Sequence, residues 1–265
     1  FLAMENPKKH KLAMVLSGGG VKGAAHIGVL QALEEYNIKP TIVAGTSAGA
    51  LAGAFYACGY SAKEVMKLMT ENSFFKFGAF TWAQPGMLDA EKFLSVFCHY
   101  FEGKTFESLD IELEIATTDI IKGTLKMFRS GPLLKPLLAS CAFPFVFAPI
   151  AIDGSLYADG GIINNFPTSG VVSKSEKTLG VYVSPLRKID KSNLKSAIDV
   201  ADRAYRISNR YESLNKLNDC TWVINPHELE NYGTFTLSRI MEIYRLGYKY
   251  GLEIAPRIKE GLDDQ

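Results

Sequence analysis

The sequence has 265 residues, of which 47% are hydrophobic and 22% charged, values typical of a globular chain with a sizeable core. Basic and acidic residues nearly cancel, 29 against 28, which gives a formal net charge of +1. This composition excludes an intrinsically disordered chain, a collagen-like repeat and a disulfide scaffold. It also lacks the basic excess of a dedicated nucleic-acid binder, so we expect no nucleic-acid partner.

The cysteines are too far apart to form a recognisable metal-binding or disulfide pattern: Cys58, Cys98, Cys141 and Cys220. Their spacing favours a reducing compartment, and we expect a cytoplasmic protein without a metal ion or an organic cofactor. Residues 1–10 lack the pattern of a signal peptide and are expected to be a flexible N-terminus or a remnant of processing. No linker-like stretch follows, which predicts a single domain over residues 11–265.

Buried strands and helices alternate in the N-terminal part of the chain. The apolar runs 11–17 and 41–45 predict short buried strands, and helical patterns follow them over residues 23–36 and 48–58. Residues 40–62 carry no formal charge, but their small side chains favour a buried strand, turn and helix over a membrane span. A capping box at Ser61 predicts another helix, and Asp89 is expected to cap one that runs to Tyr100.

The second half of the chain begins with a change of hydrophobic period. Alternation over residues 111–118, followed by 124–128, predicts a hairpin, and Asp153-Gly154 marks a second turn. Further helices are predicted at 133–142, 193–219 and 237–260, and further strands at 177–184 and 221–224. Pro256 is expected to kink or cut the last helix. Strands that alternate with helices in this way predict a mainly parallel sheet covered on both faces.

The first predicted strand runs into a glycine-rich stretch at residues 17–23, SGGGVKG. Glycines let several backbone N–H groups point at one ligand, and a helix beginning at Gly23 adds its positive end, so the stretch predicts an anion-binding cradle. The stretch also satisfies the dinucleotide pattern G-x-G-x-x-G. That pattern needs an acidic residue about 20 positions later, where this chain has Ala44-Gly45-Thr46, so a dinucleotide-binding oxidoreductase is disfavoured.

The second predicted strand runs into Gly45-Thr46-Ser47-Ala48-Gly49, a G-x-S-x-G sequence that opens the next helix. A serine on a tight strand-to-helix turn is typical of a nucleophile elbow, although a helix start rich in small residues gives the same pattern. The strand before it and the anion cradle one βα unit earlier favour the elbow. A nucleophile beside oxyanion donors predicts an acyl-transfer site.

A serine nucleophile needs a base, and the spacing of the candidates does not choose among them. The histidines lie in contexts more typical of surface or packing positions: His10, His26, His99 and His227. A carboxylate is the alternative base, and three are compatible with the pattern: Asp119, Asp153 and Asp159.

Three blocks in order, residues 18–23, 45–49 and 159–161, resemble those of the patatin-like phospholipases. Further similarity lies at 23–30, 139–144 and 164–167, so that the resemblance covers about residues 12–185, and no motif is visible after it. It implies a three-layer α/β/α patatin-like fold with a mainly parallel central sheet. It also implies a lipid acyl hydrolase, of the phospholipase A or lysophospholipase type, that works through a Ser–Asp dyad without histidine.

By the same resemblance Ser47 is the nucleophile and Asp159 the general base. The oxyanion hole is formed by the backbone of Gly18, Gly19, Gly20 and Val21. The implied substrate is a phospholipid or another acyl-ester lipid, with peripheral membrane contact. Because an ordinary Asp is a poor base for a hydroxyl group, burial must raise its pKa. We expect an apolar neighbourhood to do so: Phe143, Phe145, Phe147, Ile162 and Ile163.

Two apolar stretches, residues 74–82 and 143–150, are interpreted either as core or as an acyl-chain channel or lipid-contacting surface. Arg203, Arg206 and Arg210 share a predicted helix face, and acidic neighbours favour a solvated ionic face over an anionic-lipid site. Two alternatives to the hydrolase remain. One is an acyltransferase that uses the same serine, and the other is a catalytically silent lipid-binding protein.

Overall fold

The computed structural model describes residues 9–71, 98–144, 146–234 and 237–263. Two βα units open the chain: strand β1 (His10–Leu16), helix α1 (Ala24–Glu35), strand β2 (Ile42–Thr46) and helix α2 (Ala48–Ala57). A 3-10 turn over Gly20–Gly23 precedes α1, and helix α3 (Ala62–Glu71) follows α2. The elements predicted from the N-terminal sequence are therefore confirmed, and residues 40–62 form a buried strand, turn and helix.

The rest of the chain supplies shorter elements and two long helices. They are β3 (Glu112–Asp119), β4 (Thr124–Phe128), α4 (Leu134–Ser140), β5 (Ile150–Ile152), β6 (Ser155–Asp159), α5 (Ser169–Val172), β7 (Ser175–Val181), α6 (Ala197–Lys216), β8 (Trp222–Ile224) and α7 (Ile240–Asp263). Residues 98–101 are also helical. The predicted cap at Asp89 and the apolar stretch 74–82 lie outside the described residues.

The strands form one eight-stranded mixed sheet in the order β5-β6-β3-β2-β1-β7-β8, with β4 paired to β3. Strands β3, β2, β1, β7 and β8 run parallel, whereas β4, β5 and β6 pair antiparallel. The predicted hairpin β3–β4 is confirmed. In the β5–β6 hairpin, Asp153 and Gly154 have φ angles of 47° and 81°, the left-handed conformation that a two-residue turn favours.

Helices cover both faces of the sheet. Successive side chains of β1 point to opposite faces, so that Leu12, Met14 and Leu16 join the larger core with α1, α2 and α7. Ala13 and Val15 instead join a smaller core with side chains that follow β6 and with the end of α6. The result is the three-layer α/β/α fold that the resemblance implied.

Helix α7 contains Pro256 and continues past it to Asp263, so the expectation that this proline cuts the helix is wrong. Ala255 and Ile258, on either side of it, are fully buried, and their packing offsets the hydrogen bond that proline removes. The helix lies directly against α1, because a Cβ on Gly28 would meet the Tyr244 backbone. Tertiary packing here overrides a local helix-breaking signal.

All four cysteines lie in the described part of the chain, and no disulfide joins any of them. Within the described ranges no helix is both long and apolar enough to cross a bilayer. In the same part of the chain, no three His, Cys, Asp or Glu side chains are placed to hold a metal ion. The cytoplasmic location and the lack of a metal or cofactor stay predictions.

Candidate active site

The candidate nucleophile and base lie at the ends of two strands that meet on β3. Thr46, the last residue of β2, pairs with Ala116, and Asp159, the last residue of β6, pairs with Thr117. Since β4 occupies the other edge of β3, β2 and β6 share one edge and run toward each other. Ser47 directly follows Thr46, so its side chain lies beside Asp159, close enough to lower the pKa of that carboxyl.

Ser47 occupies a strained turn at the start of α2, with φ of 53° and ψ of −121°. Such a conformation costs a non-glycine residue about 1–3 kcal/mol and must be held by its surroundings. The Ser47 N–H donates to Ser140 Oγ at 2.8 Å, and the Ser47 carbonyl accepts from the Leu51 N–H at 3.0 Å. The Ser140 hydroxyl donates in turn to the Ala116 carbonyl at 2.7 Å, which ties the turn to β3.

Close packing explains the glycines on either side of Ser47. A Cβ on Gly45 would meet the backbone of Gly49 and Ala50, and a Cβ on Gly49 would meet the Leu16 carbonyl at the end of β1. A side chain at either position would push α2 away from the sheet. The G-x-S-x-G spacing therefore lets the serine turn sit directly against the strand ends, which is the context that a nucleophile elbow requires.

Asp159 is 1% exposed, and burial raises its pKa from 3.8 to about 6. Three donors oppose this rise because they stabilise the charged carboxylate. The Gly161 N–H lies 2.8 Å from Oδ1, the Tyr205 hydroxyl lies 3.2 Å from the same oxygen, and the neighbouring Ser47 hydroxyl also lowers the pKa. The carboxylate is therefore a stronger base than an ordinary Asp, and it is oriented on several sides.

Tyr205 is a site residue that sequence reasoning missed. It lies on α6, in the part of the chain where no motif is visible. Its ring packs edge-on against Phe143, with centroids 4.9 Å apart. Burial, together with the negative charge of Asp159, raises the pKa of its hydroxyl well above the ordinary value, so the group remains a donor. Its place on a predicted helix gave no reason to select it.

Ser47 and Asp159 line a cavity of about 170 Å³. Much of its wall is made of apolar side chains: Leu51, Met69, Phe143, Phe147, Leu237 and Ile240. An apolar wall excludes water and suits a hydrocarbon chain better than a polar substrate.

The apolar neighbourhood expected around Asp159 is present in part. Phe143 and Phe147 are buried and line the cavity. Ile162 and Ile163 are half-buried and are not among the residues that line it. Phe145 lies outside the described residues. The two phenylalanines together with the Tyr205 ring, rather than the isoleucines, therefore flank the cavity beside the carboxylate.

The glycine-rich loop lies beside the serine. A Cβ on Gly18 would lie 3.3 Å from Ser47 Cβ, and residues 18–21 line the same cavity. The Gly18 N–H donates to the Asn165 carbonyl at 3.1 Å, and the Gly18 carbonyl accepts from the Ser184 hydroxyl at 2.7 Å. The loop is therefore fixed to the segments that follow β6 and β7.

The backbone donors of this loop are not equivalent. The Val21 N–H donates to the Thr234 carbonyl at 2.9 Å, so it is occupied, as is the Gly18 N–H. Among the residues that the structure describes, no acceptor is bonded to the N–H of Gly19 or Gly20. Of the four residues expected to form an oxyanion hole, Gly19 and Gly20 are therefore the two whose N–H groups are available to a ligand.

One end of the cavity contains an arginine that the sequence analysis predicted to face solvent. Arg206 lines the cavity, and its Nη2 donates to the Pro185 carbonyl at 2.7 Å, so the expectation of a fully solvated arginine face is wrong for this residue. Asp202 lies 3.9 Å from its guanidinium. Nearby Lys22 is fully buried, and burial lowers its pKa to about 7.

The histidines do not line this cavity, and each has another environment. His26 is fully buried in α1, where its Nε2 donates to the Ser17 carbonyl at 2.8 Å. Burial lowers its pKa to about 4, so its ring is neutral at physiological pH. The others lie at the start of β1, at the surface or against an aromatic ring, in the order His10, His227 and His99. The interpretation of the histidines as surface or packing residues agrees with these positions.

The other two candidate carboxylates lie in turns. Asp119 is buried at the end of β3, where it accepts from the Ser155 hydroxyl at 2.7 Å and from N–H groups of the β3–β4 turn. Asp153 is exposed in the β5–β6 turn. Neither lines the cavity, and Asp159 is the carboxylate that contacts Ser47.

The fold is thus an α/β protein that places a candidate serine nucleophile at the carboxyl end of a parallel strand. A family model described as patatin-like phospholipase matches residues 14–172, which is more than half of the chain. The chain belongs to the patatin-like phospholipase family, as its sequence blocks indicate.

Curated relatives are longer than this chain. An uncharacterized NTE family protein of Mycobacterium tuberculosis is 33% identical over 186 residues, 69% of this chain and 52% of that protein. Patatin-like phospholipase domain-containing protein 6 of Homo sapiens is 28% identical over 275 residues, 91% of this chain and 20% of its own length. Lysophospholipase NTE1 of Pyricularia oryzae is 27% identical over 289 residues, with 94% and 19% covered. The chain therefore spans about half or less of the relatives it matches.

Among solved structures, VipD from Legionella pneumophila has a similar fold. The superposition has a TM-score of 0.54 and 17% sequence identity, and it covers 96% of this chain and 67% of VipD. At this identity the similarity shows a shared fold. The coverage of nearly the whole chain includes the C-terminal helices, which the sequence blocks did not reach.

Proposed function

We propose that this chain hydrolyses carboxylic esters of lipids through an acyl-enzyme on Ser47, with Asp159 as the general base. The observation that carries the proposal is the contact between these two side chains, which are distant in sequence. The serine side chain lies beside a buried carboxylate whose pKa is raised to about 6 by burial. A base with a pKa near the working pH is ionised and still accepts a proton readily.

In the first half-reaction, Ser47 Oγ attacks the ester carbonyl carbon, and its proton passes to Asp159. The carbonyl oxygen becomes an anion that accepts hydrogen bonds from the Gly19 and Gly20 N–H groups. Loss of one such donor typically costs about 3–4 kcal/mol of transition-state stabilisation. The tetrahedral intermediate collapses, the bond to the alcohol oxygen breaks, and the alcohol leaves with the proton from Asp159.

In the second half-reaction, a water molecule gives a proton to Asp159 and attacks the acyl carbonyl carbon. The same two N–H groups bind the new oxyanion. The bond to Ser47 Oγ breaks, the serine regains its proton from Asp159, and the fatty acid leaves. Throughout both steps the Gly161 N–H and the Tyr205 hydroxyl keep the carboxylate directed at the serine.

The proposed substrate is a phospholipid or lysophospholipid. Membership of the patatin-like phospholipase family and similarity to a protein named lysophospholipase support a lipid ester. The apolar wall of the cavity, which includes Leu51, Phe147 and Ile240, suits the acyl chain.

The test combines active-site labelling with product analysis. A fluorophosphonate is expected to label Ser47 in the parent protein and to leave Ser47→Ala unlabelled. Mass spectrometry of a mixed phospholipid, lysophospholipid and acylglycerol panel is expected to show free fatty acid with the parent and none with Ser47→Ala. Ser173→Ala, at the exposed end of a short helix away from the cavity, serves as the matched control and should behave as the parent.

Two outcomes separate the alternatives. An unchanged product pattern in Ser47→Ala removes the hydrolase proposal, and absence of fluorophosphonate labelling in the parent favours a lipid-binding protein without catalysis. An added alcohol or thiol acceptor tests for transfer, because an acyltransferase yields the new ester in preference to fatty acid. The hydrolase predicts fatty acid as the main product in either case.

A further inference from the structure

Helix α6 has two faces of different character. One face lines the cavity and reaches Asp159 through Tyr205, with Asp202, Arg206 and Asn209 beside it. On the opposite face, residues spaced by seven and four positions are large and apolar but face solvent. They are Val200 at 51% exposure, Ile207 at 54% and Tyr211 at 79%.

Exposed apolar side chains are concentrated on this helix and the segment before it. Ten large hydrophobic residues are exposed in the described part of the chain, and half of them fall between residues 194 and 211. They are Leu194, Ile198, Val200, Ile207 and Tyr211. Single exposed apolar residues are normal on a protein surface, whereas a cluster marks an interaction site.

The same segment carries an excess of positive charge. Residues 187–211 contain seven Lys and Arg against three Asp, a net charge of +4, whereas the whole chain carries +1. The exposed cations are Arg187, Lys188, Lys191, Lys195 and Arg210. Two of the three acids face other protein groups: Asp199 caps its own helix at Ser196, and Asp202 accepts from the Thr234 hydroxyl. The outward field of the segment is therefore positive.

From this combination we infer that the outward face of α6 and the preceding segment, residues 187–211, dock on an anionic lipid surface. Half-exposed apolar side chains enter the headgroup boundary, and long basic side chains reach the lipid phosphates beside them. Each Lys or Arg near an anionic surface contributes about fivefold to binding. The inference goes further than the sequence analysis, which favoured a solvated ionic face for the arginines of this helix.

The position of this docking face matters for the site. The helix that meets the bilayer on one side lines the cavity on the other and touches Asp159 through Tyr205. A docked protein therefore holds its cavity within one helix diameter, about 10 Å, of the lipid headgroups. The inference rests on the proposed function only where it treats the lipid surface as a source of substrate. Binding of residues 187–211 to that surface does not require ester hydrolysis at Ser47.

The test measures binding without turnover. The Ser47→Ala protein is sedimented with vesicles of phosphatidylcholine, with and without phosphatidylglycerol. Anionic vesicles are expected to bind it more tightly, and added salt to weaken that binding. In this background, Val200→Ser with Ile207→Ser should weaken binding about tenfold. Lys191→Gln with Arg210→Gln should weaken binding to anionic vesicles about tenfold or more and change binding to phosphatidylcholine little.

Matched controls lie elsewhere on the surface. Ile121→Ser removes an apolar side chain that is at least as exposed from the β3–β4 turn, and Lys259→Gln removes an exposed cation from α7. Both should bind vesicles as the Ser47→Ala protein does. Equal effects of the controls and the α6 substitutions would overturn the inference. It would also fail if no vesicle bound, or if the α6 variants lost self-association in analytical ultracentrifugation instead of vesicle binding.

Catalysis is followed separately. The same substitutions, with Ser47 intact, are assayed on a water-soluble short-chain ester, where they are expected to retain parental turnover. Failure of the parent to hydrolyse that ester would remove the proposed function and leave a charge-dependent vesicle interaction standing. Turnover of the soluble ester without any vesicle binding would leave the proposed function standing and remove the docking inference.

Discussion

Replacement of Asp159 by Asn removes a buried negative charge while keeping the shape of the side chain. The amide carbonyl oxygen of the variant still accepts from the Gly161 N–H and the Tyr205 hydroxyl, which lie 2.8 and 3.2 Å from Oδ1 in the parent. The amide NH₂ then faces the Ser47 hydroxyl, which is able to accept. The substitution therefore tests the charge and the basicity of this position, with little change in packing.

The expected gain in stability follows from the pKa. Burial raises the pKa of Asp159 from 3.8 to about 6, so the folded protein holds this proton more tightly than the unfolded chain does. The free energy of unfolding of the parent therefore falls as pH rises from 3.8 to about 6. Above about pH 6 the parent carries the whole cost of ionising this buried carboxyl group. At 1.36 kcal/mol per pKa unit, ionisation costs the parent about 3 kcal/mol at pH 8. The amide of Asp159→Asn does not titrate, and the variant avoids that cost.

Urea unfolding followed by circular dichroism at low and high pH measures the difference. We expect Asp159→Asn to be more stable than the parent by about 3 kcal/mol at pH 8, with the advantage shrinking toward pH 4. Turnover of an ester should fall by about 10²–10⁴-fold, the usual contribution of a general base. Asp153→Asn, in an exposed turn, should change neither quantity. A destabilised Asp159→Asn at pH 8, or one with near-parental turnover, would refute the reasoning.

Two further substitutions test the groups that hold the site. Tyr205→Phe removes a hydrogen bond that stabilises the charged form of Asp159, so the acidic limb of the kcat/KM profile should move upward by about one pH unit. An unchanged profile, measured against Tyr211→Phe on the exposed face of the same helix, would contradict this role. Ser140→Ala leaves the Ser47 N–H without its acceptor, so it should lower the free energy of unfolding by about 1–3 kcal/mol. Turnover should fall as well, because the serine turn is held less firmly. Parental stability and kcat in this variant would show that the turn needs no such support.

Much of the fold was predictable because its signals are local. The strands that precede the glycine-rich loop and the serine turn are short apolar runs that lead into glycine, and their limits in the structure agree with the expected ones to within one residue. The β3–β4 hairpin follows from alternation, and the turn between β5 and β6 follows from the dipeptide Asp153-Gly154. Pro256 is the exception, because burial of Ala255 and Ile258 against the core outweighs the local preference of proline.

The residues of the candidate site fall into the same two groups, those predictable from local sequence and those placed by tertiary contacts. Gly45, Ser47 and Gly49 are fixed by the backbone of one tight turn, so adjacent residues in the sequence were enough to predict them. The choice of Asp159 over Asp119 and Asp153 came from a resemblance, because spacing along the chain left the three open. In the structure, the pairing of β2 and β6 with adjacent residues of β3 places Asp159 beside Ser47, whereas Asp119 and Asp153 lie in turns.

What the sequence determined by itself is therefore the set of elements whose causes lie within a few residues: strands, turns, caps and the serine elbow. Only the tertiary structure decided which distant groups surround that serine. It brought Tyr205 from the C-terminal part of the chain to the carboxylate, left the Gly19 and Gly20 N–H groups without acceptors among the described residues, and turned Arg206 inward. The physical reason is that burial, pKa and hydrogen-bond partners depend on contacts between segments, and such contacts leave no periodic or compositional trace in the chain.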